Sequence, residues 1–412
     1  MNFKNLFSNN RGKIFVWTLF DFANTSFSIT VVTFVFAVYF KETVAGNQPI
    51  GDFYWSLATS ISMLIVALIS PFLGAIADHS AGKKRFLLFF TLLCILFSSL
   101  LYFVEAGMIF IGILLFIVAN IGFEAGLVFY DAFLPEITEE KNFGRISGYG
   151  FAMGYFGSLV SLVIVYPLVA NNLVTITFPI TAAFFLIFAI PLFLFLHDSK
   201  KKITVDKSYI KVGIERVKFT LTHLKQYKNL AAFLIAFFFY IEGVNTAIYF
   251  SGIYAKTTLK FSLTELTVFF MVAQTTAVIG SVIFGIIADS IGQKRTIFIT
   301  LFLWLVVIIS ASVITSKEIF FFVGALAGLG MGSTQSVSRS LMSKLTPPDK
   351  KTEFFGFYSF FGKSSAVIGP LVFGLVSWLS GSQRLAILSM GAFFLVGMFL
   401  LRQVKEEQAS AG

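Results

Sequence analysis

The chain has 412 residues, of which 57% are hydrophobic and 13% charged, with 54 phenylalanines and a formal net charge of +10. A soluble domain carries about 25% charged residues, and the mean hydropathy here is +0.86, so the composition excludes a soluble globular protein and points to a polytopic membrane protein. A single cysteine, Cys94, excludes an intrachain disulfide, and the three histidines, His79, His197 and His223, fall at the edges of apolar runs. No buried His/Cys metal cluster and no cofactor site is therefore expected.

Roughly 20 apolar residues cross about 30 Å of hydrocarbon at about 1.5 Å per residue. Stretches of that length predict helices at 14–40, 52–77, 86–104, 108–134, 146–169 and 174–196 in the first half. In the second half they fall at 229–255, 266–288, 296–314, 319–345, 355–379 and 385–401. The first run is too long for a signal-peptide core and lacks a small-residue cleavage site. Between the sixth and seventh runs lies a basic connection, 198–228, with Ile210, Ile214, Val217, Leu221 and Leu224 at helical spacing. It reads as a linker carrying an amphipathic helix on the inner leaflet. The expected fold is an all-α membrane protein, twelve transmembrane helices in two pseudo-symmetric six-helix bundles, 1–197 and 229–412.

Lysines and arginines set the orientation. With the amino terminus inside, nearly all of them fall in inside segments, and only Lys41, Lys256, Lys260, Lys317 and Arg384 lie opposite. That bias puts both termini in the cytoplasm. The excess positive charge then faces anionic lipid headgroups and needs no nucleic acid, for which the chain has no module.

Charges inside the spans are the exceptions, since each costs roughly 2.5–3.5 kcal/mol at a helix centre. Asp21 begins D-F-A-N-T in the first span, and Glu242 begins E-G-V-N-T in the seventh. Each acid is followed at i+3 and i+4 by Asn24 and Thr25, or by Asn245 and Thr246, on one helix face. Glu124 lies mid-span in G-F-E-A-G, and Lys363 lies in the eleventh span. Asp21, Glu124 and Glu242 are expected to face the bundle interior as proton relays, and the accompanying polar groups to bind solute. The alternative is a scaffold of permanent ion pairs and interhelical hydrogen bonds. Glycines in the fifth and eleventh spans, Gly369 with Pro370 among them, are assigned to close packing and bending.

The two halves repeat. G-A-I-A-D-H-S-A-G-K-K-R from Gly74 to Arg85 is matched by G-I-I-A-D-S-I-G-Q-K-R from Gly285 to Arg295, and A-N-I-G-F-E-A-G from Ala119 by A-G-L-G-M-G-S-T from Ala327. The second register sets Asp131 against Arg339. F-G-R-I-S-G-Y-G from Phe143 is matched by F-G-F-Y-S-F-F-G from Phe355. Repeats of this kind suit a transporter built from parallel halves.

G-x-x-x-D-x-x-G-x-K-R between the second and third spans of each half resembles the signature of the major facilitator superfamily. The copy at Gly285, Asp289, Gly292, Lys294 and Arg295 fits it, whereas the copy at Asp78, Gly82, Lys84 and Arg85 carries one extra residue before its glycine. DFANTSFSITVVTFVFAVYF, FYDAFLPEI, and STQSVSRSLMSKLTP with EFFGFYSFFGKSSAVIGP are similar to the vacuole-effluxer branch, which includes autophagy-related vacuolar amino-acid effluxers and bacterial members. The resemblance implies a secondary transporter that moves a small polar solute such as an amino acid outward, cycling by alternating access with protons as partner. The compact loops point to a bacterial inner membrane, and a monomer is expected. The motif residues, with Asp131 and Arg339, are then expected to gate the cytoplasmic side, with Arg339 as partner of Asp289. Topogenic charge alone is the plain alternative for Lys84, Arg85, Lys294 and Arg295. Other readings are a multidrug or other organic-solute carrier of the same fold, or a passive channel or receptor. A membrane enzyme lacks a buried nucleophile and base.

Overall fold

A computed structural model describes residues 10–46, 49–80, 82–198, 209–222, 224–366 and 368–406. Among these residues every regular element is helical. That is what hydrocarbon demands, because a helix satisfies its backbone polar groups within one segment. Among the described residues eleven helices are long and apolar enough to cross a membrane, with a shorter apolar helix over Leu371–Ser380.

In chain order the first span is α1 (Asn10–Phe27), a π-helical stretch (Ser28–Thr33), short α2 (Val35–Tyr39) and a second π stretch (Phe40–Val44). The spans that follow are α3 (Pro49–Ser80), α4 (Lys83–Leu100) and α5 (Ile109–Asp131). Short α6 (Leu134–Ile137) precedes α7 (Phe143–Ala170) and α8 (Thr177–Phe195). The linker holds α9 (Tyr209–Thr222). The second half contains α10 (Lys228–Thr257), α11 (Leu263–Ile291), α12 (Gln293–Val313), α13 (Lys317–Leu345), α14 (Lys351–Ser365), α15 (Ile368–Ser380) and α16 (Gln383–Leu401).

Two runs differ from the sequence expectation. The first is not one uniform helix, because Ile29 to Thr33 is β-branched at every position and crowds the α-helical turn. The Thr33 hydroxyl donates to the Ser28 carbonyl five residues back, at 3.0 Å. The eleventh, expected as one span over 355–379, is two helices, α14 and α15. In the linker α9 forms over four of the five predicted apolar positions, with Val217 buried and Ile214 exposed, and Leu224 begins a 3₁₀ turn beyond it. Residues 199–208 and the side chains of Ile210, Leu221 and Leu224 lie outside the described residues.

The chain divides into two compact units. One contains Met1–Thr138, Met153–Val217 and Lys350–Gly356, and the other Glu139–Ala152, Lys218–Asp349 and Phe357–Gly412. Each unit therefore takes in the start of a helix from the opposite half of the sequence, α14 in the first and α7 in the second. Inside the first unit α4 packs on α5 and α8, α1 on α8, and α3 on α5. The second repeats this scheme, with α12 on α13 and α16, α10 on α16, and α11 on α13. The sequence repeat thus carries over into the same set of helix pairings.

Candidate functional site

In the first unit Asp21 sits on α1 and is 7% exposed. Asn24, one turn on, donates to its Oδ1 at 3.4 Å, and the Tyr130 hydroxyl of α5 donates to its Oδ2 at 2.7 Å. Tyr130 is itself fixed. Its ring stacks on Trp17 with centroids 4.7 Å apart, its hydroxyl lies 3.1 Å from the Trp17 carbonyl, and the Trp17 indole donates to the Tyr130 carbonyl at 3.1 Å. Thr25 turns away from the acid and donates to the Gly154 carbonyl of α7 at 2.7 Å. Glu124 on α5 is 6% exposed, and Asn120 one turn before it donates to the Ser62 hydroxyl of α3 at 2.7 Å.

In the second unit Glu242 on α10 is fully buried. Its Oε1 accepts from the Thr246 hydroxyl at 2.7 Å and from the backbone N–H of Gly369, at the start of α15, at 2.6 Å. Asn245 is half-buried and makes no side-chain hydrogen bond among the described residues, and Lys363 is half-buried on α14. The matching acid-x-x-Asn-Thr segments are therefore used differently. In α1 the asparagine holds the acid, and in α10 the threonine does.

The duplicated motifs form a second set. Asp78, 6% exposed at the end of α3, accepts from the Thr352 hydroxyl at 3.0 Å and the Glu353 N–H at 2.8 Å, in the first turn of α14. Asp289, at the end of α11, accepts from the N–H groups of Gly144 and Arg145 at 2.7 and 3.0 Å and from the Arg145 Nε at 2.8 Å, in the first turn of α7. A carboxylate there satisfies orphan amides and meets the positive end of the helix dipole. The motif glycines Gly74 and Gly285 let the backbones meet, since a Cβ on either would overlap the carbonyl of Thr352 or of Gly144. In the repeat register α14 starts about one turn earlier than α7, so Asp78 meets residues that lie outside the matched F-G segment.

The basic residues of the motifs divide by position. Arg85 and Arg295 are exposed, as topogenic charges are. Lys84 and Lys294 are half-buried, and their backbone amides open α4 and α12. The Lys84 N–H donates to Asp198 Oδ2 at 3.3 Å. Burial pushes the Asp198 carboxyl above the usual carboxylate range, against the pull of Lys83. At the equivalent place Gln293 and Lys294 donate backbone N–H groups to Glu406 at 2.6 and 3.3 Å. The Lys294 ammonium holds the carbonyls of Arg402 and Val404 at 2.9 and 2.6 Å. Gly292, at φ +97°, makes the turn that aims these amides. Gly82 caps α4 without a side-chain bond. Near Asp289 a cavity of about 470 Å³ is lined by Glu140, Lys141, Gln293 and Lys344.

The expected pairing of Asp289 with Arg339 is corrected. Arg145 and two amides occupy Asp289, while Arg339, 2% exposed on α13, donates to the Ser147 hydroxyl and carbonyl, both at 2.9 Å, and lies 4.1 Å over the Phe151 ring. Both residues face α7, one turn apart. Asp131 closes α5 half-buried.

Sequence reasoning missed the groups that orient these acids. Tyr130 directly precedes Asp131 and spends its hydroxyl on Asp21. Gly369 was assigned to packing, and its amide spends itself on Glu242. Lys83, the most buried motif lysine, forms an ion pair of 2.5 Å with Glu136 and lies 4.4 Å over the Phe133 ring. Nothing in a one-dimensional pattern marks Lys83 apart from its neighbour Lys84.

A repeated apolar bundle with buried acids and capped loop motifs defines a multi-pass membrane transporter of the major facilitator fold. Solved structures agree on the fold: a proton:xylose symporter superposes with TM-score 0.74 over 97% of this chain and 98% of its own, at 15% identity. The human organic anion transporter MFSD10 does so with 0.72 over 94% and 98%, at 14%. The chain belongs to the family described as vacuole effluxer Atg22 like, whose model matches residues 53–411. The MFS-type transporter YxiO of Bacillus subtilis is 31% identical over 96% of this chain and 95% of its own length. Autophagy-related protein 22 of Kluyveromyces lactis is 24% identical over 83% and 76%.

Proposed function

We propose that this transporter exports a small, polar, amino-acid-like solute in exchange for protons, exposing its solute site to one side of the membrane at a time. The observation that carries the reading is the set of carboxylates sealed inside apolar spans: Asp21, Glu124 and Glu242 are each at most 7% exposed. Acids so placed cost insertion energy and mark ion or solute pathways. Together with Asn24, Thr25, Asn245, Thr246 and Lys363 they make up the proposed pathway. The family's description as effluxers supports the direction. The halves 1–197 and 229–412, joined by 198–228, are the proposed working bodies. The Lys/Arg bias supports cytoplasmic termini with anionic headgroups along the inner face, the compact loops support a bacterial inner membrane, and the protein is proposed to act as a monomer. In this cycle the first turns of α7 and α14 leave Asp289 and Asp78 each time the cytoplasmic side opens.

The test is counterflow in proteoliposomes with a panel of radiolabelled amino acids, with and without an imposed pH gradient. Saturable flux that falls when the gradient is collapsed is expected, and Asp21→Asn should lose the gradient dependence. Flux indifferent to the gradient, or absent for every amino acid tried, would overturn the proposal.

A further inference from the structure

We propose that Glu242 is a positioning residue: its carboxyl clasps the first turn of α15 and fixes the start of the second half of the eleventh span against α10. This rests on the transport reading above and deepens it, because it gives one of the three sealed acids a part other than carrying the proton.

In an unbroken helix the Gly369 N–H would go to the carbonyl of Ser365, four residues back. Here α14 ends at Ser365, and the Gly369 N–H goes to Glu242 Oε1 at 2.6 Å. The acid therefore replaces the missing intrahelical acceptor, at a helix end whose dipole favours negative charge. Thr246 holds the same oxygen at 2.7 Å, so both donors converge on Oε1 and fix the carboxyl group from two sides. Gly369 is required there, since a Cβ would overlap both the Thr246 hydroxyl and Glu242 Oε1. Two turns along α10 a second contact completes the attachment: Phe250 stacks on Phe373 of α15 with centroids 3.8 Å apart at 13°. On its far side α15 shows Leu371, Leu375, Trp378 and Leu379, all exposed, as a lipid-facing surface would be. The helix thus meets α10 at one hydrogen-bonded point and one aromatic point, while it packs along α16.

The geometry separates a clasp from a proton carrier. A clasp needs an oxygen acceptor at the end of a two-methylene stem, which Gln supplies and Asp, one methylene shorter, does not. A titrating group needs a carboxyl, which Asp supplies and Gln does not. The two roles therefore predict opposite rankings of the same two variants.

Hydrogen–deuterium exchange on the full-length protein in lipid nanodiscs reads α15 directly. Amide exchange over residues 368–380 should stay within about twofold of wild type in Glu242→Gln. In Glu242→Asp and Gly369→Ala it should rise about tenfold, the effect of losing a hydrogen bond that holds a local opening closed. Thr246→Val, which keeps side-chain shape and leaves both Glu242 and Gly369 in place, should raise exchange in the same segment and leave the helices of the first unit unchanged. This variant keeps the test open if Glu242→Asp does not fold. Exchange raised equally by Gln and Asp, or unchanged in Asp, Gly369→Ala and Thr246→Val alike, would overturn the clasp. Counterflow measured on the same preparations keeps the two readings apart. Absent wild-type flux removes the transport reading whatever the exchange shows, and intact flux with a flat exchange pattern removes the clasp alone.

Discussion

Asp21 and Glu242 occupy equivalent places in the repeat and are held by opposite means. Asp21 is tied across to the fourth span by the Tyr130 hydroxyl and along its own helix by Asn24. Glu242 is tied along its own helix by Thr246 and across to the eleventh span by a backbone amide. The bridging tyrosine has also changed helices. In the first unit it sits on α5 and reaches α1, whereas in the second Tyr240 on α10 reaches the Ser338 hydroxyl of α13 at 2.8 Å. Duplication thus preserved the helix pairings and left each acid to acquire its own partners. A side-chain donor can rotate away from an acid as a cycle proceeds, while a backbone amide moves only with its helix. The difference suits Asp21 to exchanging a proton and Glu242 to holding an element in place.

The largest effect expected from this contrast comes from the two tyrosines. Tyr130→Phe leaves a buried carboxylate short of a donor and should cost about 1–3 kcal/mol. Tyr240→Phe removes a bond between two neutral hydroxyls and should cost about 0.5–1.5 kcal/mol. Unfolding midpoints of both variants in detergent measure the gap, and equal losses would show that Asp21 draws no special support from Tyr130. The motif aspartates come next. Asp289→Ala gives up two backbone amides and Arg145, and Asp78→Ala one amide, one hydroxyl and the attraction of Lys83. Against capping energies of about 0.5–2 kcal/mol, the former should fall near the top of the range and the latter near the bottom. The reverse order in the same melts would break the reading that the second motif is the stronger cap.

Much of the fold was legible in the residues because hydrocarbon thickness imposes one length on every span and leaves helices as the only open-chain solution. The break between α14 and α15 was not. Gly369 and Pro370 mark bending, but a break requires an outside acceptor for the freed amide, and Glu242 lies more than a hundred residues away in sequence. The acids themselves were visible as charges in apolar runs, with Asp21 and Glu242 related by the repeat. Their partners were not, because Tyr130 and Gly369 are ordinary residues for a membrane helix and become ligands of a carboxylate only through packing. Pairing Asp289 with Arg339 failed for a related reason. Opposite charges toward the ends of two spans suggest attraction, yet the first turn of α7 offers Asp289 two amides and a guanidinium in one place.

The smallest effect expected is the most directly titratable, and it supplies an accessible acid against which the sealed pair can be judged. Glu265, in the first turn of α11, accepts from the Ser262 N–H at 2.7 Å while Ser262 caps the Glu265 N–H at 3.2 Å, and the Lys317 ammonium lies 2.9 Å from its carboxylate. The amide bond first, and then the ammonium, hold its carboxyl down at about 2, against 4.5 for a free glutamate. A folded-state value below the unfolded one stabilises the protein above the unfolded value, and that stabilisation drains away as pH falls through 4.5 toward 2. The unfolding midpoint should therefore decline more steeply over this window in wild type than in Glu265→Gln, which keeps a capping side chain and loses only the charge. Added salt should shrink the difference, since the group is open to solvent. A wild-type curve that coincides with Glu265→Gln would mean that the charge adds nothing to this cap, so that hydrogen-bond geometry alone secures the turn leading into α11.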